Sequence, residues 1–137
     1  MDNRYRPRRT CLSVPGSSDK MIEKAKSLPA DEVFLDLEDA VAPDAKAEAR
    51  TRLAGALGAT GWLGGALRGV RVNDWTTPWT HADVIEVVAA AGEHLDVIVL
   101  PKVEDASHVQ ALDLLLSQLE RTHGLPVGRI AIEPQIE

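Results

Sequence analysis

A single cysteine, Cys11, stands in 137 residues, so neither a disulfide framework nor a zinc ligand set is expected, and redox chemistry is not. Lying inside a short apolar run, Cys11 reads as a small buried hydrophobe. No apolar run approaches the roughly 20 residues of a membrane span. The Arg-rich start Asn3-Arg4-Tyr5-Arg6-Pro7-Arg8-Arg9 lacks the apolar core of a signal peptide. A cytoplasmic location with no membrane partner is therefore expected. Positive charge is in deficit as well: 15 Lys and Arg against 21 Asp and Glu leave a net charge of -6, which argues against general nucleic-acid binding. Ten glycines and eight prolines are too few for a disordered chain, and 45% hydrophobic residues can supply one core.

What the chain does have is an acidic segment in an unusual place. Val33-Phe34-Leu35-Asp36-Leu37-Glu38-Asp39-Ala40-Val41 sets three carboxylates into a run that otherwise reads as a buried strand. An ionised carboxylate taken out of water costs several kcal/mol unless it is paired, hydrogen-bonded or metal-bound. Two readings stand: a strand-to-helix turn in which Asp39 helps cap the next helix, or a site. Asp44, after Pro43 and before Glu48 and Arg50, is itself a helix opener, so capping does not need Asp39.

Short apolar runs alternate with longer amphipathic ones along the rest of the sequence. Strands are expected over Cys11–Val14, Val33–Leu37, Val70–Val72, Val97–Leu100 and Ile130–Ile132. Helices are expected from Ser18 or Asp19 to about Leu28, Asp44 to Leu57, Thr80 to Ala91 and Asp105 to Arg121. Repeated βα units imply a parallel α/β sheet with right-handed crossovers, doubly wound or closed into a barrel. Polar residues recur just after each apolar run: Glu38 and Asp39, Arg71 and Asn73, Lys102 and Glu104, then Glu137. The steps from Glu38 to Arg71, Lys102 and Glu137 are 33, 31 and 35 residues, one βα unit each. Charge gathered at consecutive strand ends fits a TIM (β/α)8 barrel, whose active site lies on that face, better than an open sheet with one switch point.

Other features leave alternatives open. Val14-Pro15-Gly16-Ser17-Ser18 leads into a helix start, either as a plain turn with an N-cap or as an anion cradle assisted by Lys20 or Lys24. No dinucleotide or Walker-type glycine motif occurs. The glycine-rich stretch from Gly61 to Gly69, with no strand before it, reads as a surface connection. His81, His94, His108 and His123 fall in or beside helices and read as surface residues. Residues 1–8 form a basic tail in which Arg4 and Arg6 read as solvated, whereas Arg9, directly before a strand, stays open to a ligand.

Five segments in order carry a resemblance: Arg9-Thr10-Cys11-Leu12-Ser13-Val14-Pro15-Gly16-Ser17, Leu35-Asp36-Leu37-Glu38-Asp39-Ala40-Val41, Val70-Arg71-Val72-Asn73, Leu100-Pro101-Lys102-Val103-Glu104 and Ile132-Glu133-Pro134-Gln135-Ile136-Glu137. Together they resemble the citrate lyase beta subunit and malyl-CoA lyase group of the HpcH/HpaI aldolase superfamily. The resemblance implies a TIM barrel, a homo-oligomer (trimer or hexamer in relatives), that uses Mg²⁺ to cleave or form a carbon–carbon bond in a 3-hydroxyacyl-CoA, giving an acyl-CoA and a keto acid. It implies that Arg71 holds the keto-acid carboxylate, that Glu137 is a metal ligand, and that Asp39, with Glu38 beside it, is an active-site acid. It also implies that Arg9, Pro15, Gly16 and Ser17 lie near the substrate and its coenzyme A. Lys102 reads equally as a substrate contact and as a structural ion pair with Glu38 or Glu104.

A full barrel needs about 250 residues. Residues 9–137 thus correspond to the first roughly five βα units, truncated at strand five, and the second metal aspartate of the family has no counterpart. The expectation is a chain that is not a competent lyase alone. A non-catalytic half-barrel acting through self-association or a partner, and an aldolase for free keto acids, are the rival readings.

Overall fold

The computed structural model describes residues 6–137, so Arg4 and most of the basic tail lie outside the described residues. Five parallel strands in the order β1-β2-β3-β4-β5 make one sheet: β1 Cys11–Pro15, β2 Glu32–Asp36, β3 Leu67–Arg71, β4 Val97–Val103 and β5 Ala131–Ile136. Helices α1 Asp19–Lys26, α2 Lys46–Gly58, α3 Thr80–Ala91 and α4 Ala106–Thr122 link them in turn. Sequential order with every strand parallel is the arrangement of consecutive units in a TIM barrel, and it differs from a doubly wound sheet, where the order reverses.

Strand alternation sorts the side chains onto two faces. Val14, Val33, Leu35, Val70, Ile98 and Leu100 point to the helices and are almost wholly buried against Ile22, Leu53, Leu57, Val84, Val87 and Leu112. The other set, including Cys11, Glu32, Phe34, Asp36, Gly69, Arg71 and Glu133, lies on the concave face. A Cβ at Gly69 would fall 2.7 Å from Val97 Cγ1 and 3.2 Å from Phe34 Cβ, so this strand position requires glycine for close packing.

Local chemistry explains the boundaries. The Ser18 hydroxyl accepts from the Met21 N–H and caps α1, and the Asp105 carboxylate accepts from the Ser107 N–H at α4. The start of α2 departs from expectation: a 3₁₀ turn over Pro43–Ala45 precedes it, Ala42 occupies the cap, and Asp44 lies within the turn without a capping bond. Pro43 presets that turn. Four other expectations also change. Leu67–Gly69 belong to β3 and not to a surface connection. Cys11 is exposed, because its place in the alternation is the concave face at the edge strand. His108 is half-buried while His81, His94 and His123 are exposed, and Arg6 is half-buried, so it is only partly solvated. Among the described residues no helix is long and apolar enough to cross a membrane.

Candidate functional site

The parallel register sets Asp36, the last residue of β2, directly beside Arg71, the last of β3. Arg71 Nε donates to Asp36 Oδ1 and Nη2 to Oδ2, both at 2.8 Å, the planar bidentate geometry that suits a guanidinium and a carboxylate. Each oxygen takes one more donor: Glu38 N–H at 2.9 Å on Oδ1 and Ala40 N–H at 3.0 Å on Oδ2. Burial pushes the Asp36 carboxyl up, but Arg71 and the two backbone donors outweigh it and hold it below the ordinary value. The Arg71 guanidinium is raised in turn, first by its hydrogen bond to Asp36.

That pairing uses two of the three nitrogens of Arg71. Nη1 remains, 3.8 Å from Glu38 Oε1 and 3.5 Å from Gln135 Oε1 on β5, while the guanidinium stacks 5.6 Å from the Phe34 ring. Glu38 is buried, and its Oε2 accepts no hydrogen bond, with Lys102 Nζ 3.7 Å away. Burial raises the Glu38 carboxyl; Arg71 and Lys102 pull it down and Asp39 pushes it up. Lys102 also lies 3.9 Å from Asp74, not beside Glu104, and its φ of 52° is the left-handed region that is rare for a lysine. A register shift in β4 between Leu100 and Val103 accompanies it. The Lys102 ammonium is raised chiefly by Glu38, with Asp39, Asp74 and Glu137 adding to the effect.

Sequence reasoning missed the support beneath these groups. Lys46 is buried at the start of α2, and its Nζ donates to Leu37 O, Glu38 O and Asn73 Oδ1 at 2.7, 2.9 and 2.8 Å. Burial lowers its pKa against the pull of Asp83, Asp36 and Glu38, and the ammonium stands 5.0 Å over the Trp79 ring. Asn73 donates to the fully buried Asp83, which also accepts from Arg50. The chain β2 loop–Lys46–Asn73–Asp83–Arg50 thus fixes the two strand ends from behind. Asp74 was equally unforeseen; its carboxylate accepts from the Thr76 N–H and hydroxyl, and the Asp-x-Thr spacing is the signal that marks such a turn.

A cavity of about 320 Å³ opens on this cluster, lined by Glu38, Asp39, Lys46, Asn73, Asp74 and Lys102. Asp39 is exposed at its rim and Glu137 is exposed just past β5. Pro15, Gly16 and Ser17 lie at the same strand ends. Gly16 N–H donates to Asp36 O at 2.8 Å, and a Cβ at Gly16 would sit 2.7 Å from that oxygen and 2.8 Å from Leu53 Cδ2. The Ser17 carbonyl accepts from Arg52.

Arg9 is not brought together with the others. It precedes β1 at the opposite end of the sheet, where it grips Asp31 through Nε at 3.0 Å and Nη2 at 3.2 Å. At roughly 3.3 Å per residue, Arg9 and Pro15 are about 20 Å apart along the strand. The hollow there, about 700 Å³, has the Arg9–Asp31 pair as its only charged lining.

Two cations and several carboxylates converging on an open cavity can bind a small anionic molecule and, through oxygen donors, a hard divalent cation. Residues 9–137 match the HpcH/HpaI aldolase/citrate lyase family. An L-malyl-CoA/beta-methylmalyl-CoA lyase of Cereibacter sphaeroides is 42% identical over 119 residues, spanning 87% of this chain and 37% of that enzyme. A (3S)-malyl-CoA thioesterase from the same species is 41% identical over 143 residues, spanning 99% of this chain and 49% of that one. The chain therefore spans between about two-fifths and half of the length of these relatives. Protein CitE from Mycobacterium tuberculosis, solved with magnesium and acetate, superposes with a TM-score of 0.60 at 32% identity over 74% of this chain and 39% of that one. The chain belongs to the HpcH/HpaI aldolase/citrate lyase family.

Proposed function

We propose that this chain carries the keto-acid and metal-binding part of a Mg²⁺-dependent carbon–carbon lyase acting on a 3-hydroxyacyl-CoA such as malyl-CoA. The observation that carries the reading is the Asp36 clamp on Arg71, which leaves the Nη1 edge, 3.5 Å from Gln135 Oε1 and 3.8 Å from Glu38 Oε1, beside the cavity that Glu38, Asp39 and Lys102 line. A carboxylate of the keto acid docks on that edge, and Arg71, which cannot deprotonate, supplies fixed positive charge where negative charge develops on the keto oxygen. Lys102 adds a second positive charge above Glu38. The Pro15–Ser17 turn, held against Asp36 by the Gly16 N–H, offers backbone to the acyl-CoA portion.

The donor set fits the metal that such chemistry uses. Glu137 would hold it and Asp39 would order its waters, hard oxygen donors of the kind Mg²⁺ takes while keeping several waters; the unpartnered Glu38 Oε2 faces the same region. When bound, Mg²⁺ supplies Lewis-acid polarisation of the substrate carbonyl. The names of the lyase relative and the magnesium complex of CitE support this assignment.

The thioesterase relative supports a second reading, hydrolysis of the CoA ester on the same site. The test separates the two by products. The protein as its gene encodes it is incubated with malyl-CoA and Mg²⁺, and glyoxylate, acetyl-CoA and free CoA are measured. Glyoxylate with acetyl-CoA is expected, and Arg71→Ala should lower kcat/KM by about 100-fold or more. Free CoA without glyoxylate would establish hydrolysis, and unchanged turnover in Arg71→Ala would remove that residue from the assigned role.

A further inference from the structure

Far from the proposed site, at the amino-terminal end of the sheet, Glu32 is fully buried and neither of its carboxylate oxygens accepts a hydrogen bond from the described residues. A buried carboxylate in that state is costly and calls for a counter-ion. Cys11 stands directly beside it in the β1–β2 register, and Glu133 reaches it from β5 across the concave face. Gly69 makes the room, since a Cβ there would lie 3.4 Å from Glu32 Oε1. One donor atom each from Cys11, Glu32 and Glu133 lies within 4.8 Å of the other two.

We propose that Cys11, Glu32 and Glu133 form a structural cation site for a borderline-soft divalent ion of the zinc class, tying β1, β2 and β5 together at the foot of the sheet. A thiolate combined with two carboxylates favours such an ion over Mg²⁺, which takes oxygen donors alone. Tetrahedral bonds of about 2.0–2.3 Å need donors about 3.3–3.8 Å apart. The cluster thus closes by at most about 1.5 Å, within reach of rotation of the exposed Cys11 and half-buried Glu133 side chains.

Among the described residues Arg8 is the cation at this cluster: its Nη1 donates to Glu133 Oε2 at 2.7 Å, and its Nε is 3.6 Å from Glu32 Oε2 without a hydrogen bond. It pairs with Glu32 by charge but donates no hydrogen bond to it. Coordination releases the Cys11 thiol proton and the proton of Glu32, whose carboxyl burial pushes up to about 7, to solvent; the three donors then carry three negative charges, which a dication and the Arg8 guanidinium together cancel. Arg8 then becomes an outer partner of the Glu133 ligand, the usual arrangement around a bound ion. Individually these residues look unremarkable in sequence, separated as they are by a whole sheet.

The test is titration of the untagged, reduced, chelator-stripped protein with Co²⁺, followed by optical absorption and displacement with Zn²⁺. One equivalent should bind with a thiolate-to-cobalt charge-transfer band that zinc abolishes. Cys11→Ser should remove the band, and Glu32→Gln should weaken binding by about tenfold or more. Glu137→Gln should leave the thiolate-to-cobalt band in place, which keeps this site separate from the proposed Mg²⁺ site. The absence of stoichiometric binding, a band that survives Cys11→Ser, or an affinity indifferent to Glu32→Gln would overturn the assignment and leave Glu32 and Glu133 as a pair sharing a proton. Because the Cys11 side chain is exposed, its serine variant keeps the fold and carries the test alone if Glu32→Gln does not.

Discussion

Asp36→Asn is the substitution that isolates the centre of the proposed site, because it changes one atom and no volume. Asp36 is fully buried and its two oxygens each accept two hydrogen bonds, from Arg71 Nε and Glu38 N–H on one and from Arg71 Nη2 and Ala40 N–H on the other. An asparagine amide can present only one oxygen. Whichever way it turns, its NH₂ group meets two donors, so two hydrogen bonds are lost and Arg71 keeps its charge beside a neutral partner. Breaking one side of a buried ion pair costs about 3–5 kcal/mol, a large share of the roughly 5–15 kcal/mol that holds a domain. Urea unfolding at pH 7 should register that loss as a lower midpoint with an unchanged slope. The pH dependence has a definite sign. The Asp36 carboxyl titrates below its unfolded value of about 3.9, so its stabilisation is fully present above that value and decays as pH falls through the lower folded value. The gap between the two proteins should therefore be constant from about pH 5 to 7 and narrow in acid. A loss under about 1 kcal/mol at pH 7, or a gap that persists unchanged to about pH 2, would refute the pairing as the organising interaction.

Two further substitutions probe the frame around it. Lys46→Met preserves most of the side-chain volume but leaves Leu37 O, Glu38 O and Asn73 Oδ1 without their shared donor; about 2–4 kcal/mol should be lost in urea unfolding, and an unchanged midpoint would show that water replaces the ammonium. Gly16→Ala drives a Cβ against Asp36 O and Leu53 Cδ2, so a cost of about 1–3 kcal/mol, read as a lower Tm, is expected, and an unshifted Tm would mean that the turn yields freely.

How much of this was legible beforehand follows from the range of the interactions. Helix α3 runs from Thr80 to Ala91, as its pattern predicts, because Val84, Val87, Val88 and Ala91 are local signals on one face. The strand ends and the barrel order were legible for a similar reason, as charge recurs once per βα unit. Strand β3 was read late, at Val70, because Gly69 looks like a turn when its neighbours Val97 and Phe34 are unknown. Cys11 was read as buried because an apolar run does not say which of its residues face the helices. The Asp36–Arg71 clamp needed the β2–β3 register, which no spacing reveals. The resemblance groups Arg9 with Pro15–Ser17 in one segment, but a strand has two ends, and its length places Arg9 with Asp31 at the end opposite the Asp36–Arg71 pair.

The acidic segment after β2 also resolves into separate tasks. Asp36 is buried and spent on Arg71; Asp39 is exposed; Glu38, between them in chain order, is buried with one oxygen that accepts no hydrogen bond and faces Lys102 at 3.7 Å. Asp36 has both oxygens fully hydrogen-bonded by described residues, so it is a positioning residue and not a reacting one: its four donors fix Arg71 on one side and the Glu38–Ala40 turn on the other. Glu38 and Asp39 are then delivered to the cavity by the turn that Asp36 holds, while Lys46 fixes the Leu37 and Glu38 carbonyls from beneath. A conservative change at Asp36 should consequently damage the geometry of both the cationic and the acidic sides of the site, whereas a change at Asp39 should leave the fold intact and alter only what the cavity can bind. If Asp39→Asn lowered the urea midpoint as far as Asp36→Asn, that division between positioning and exposed carboxylates would fail.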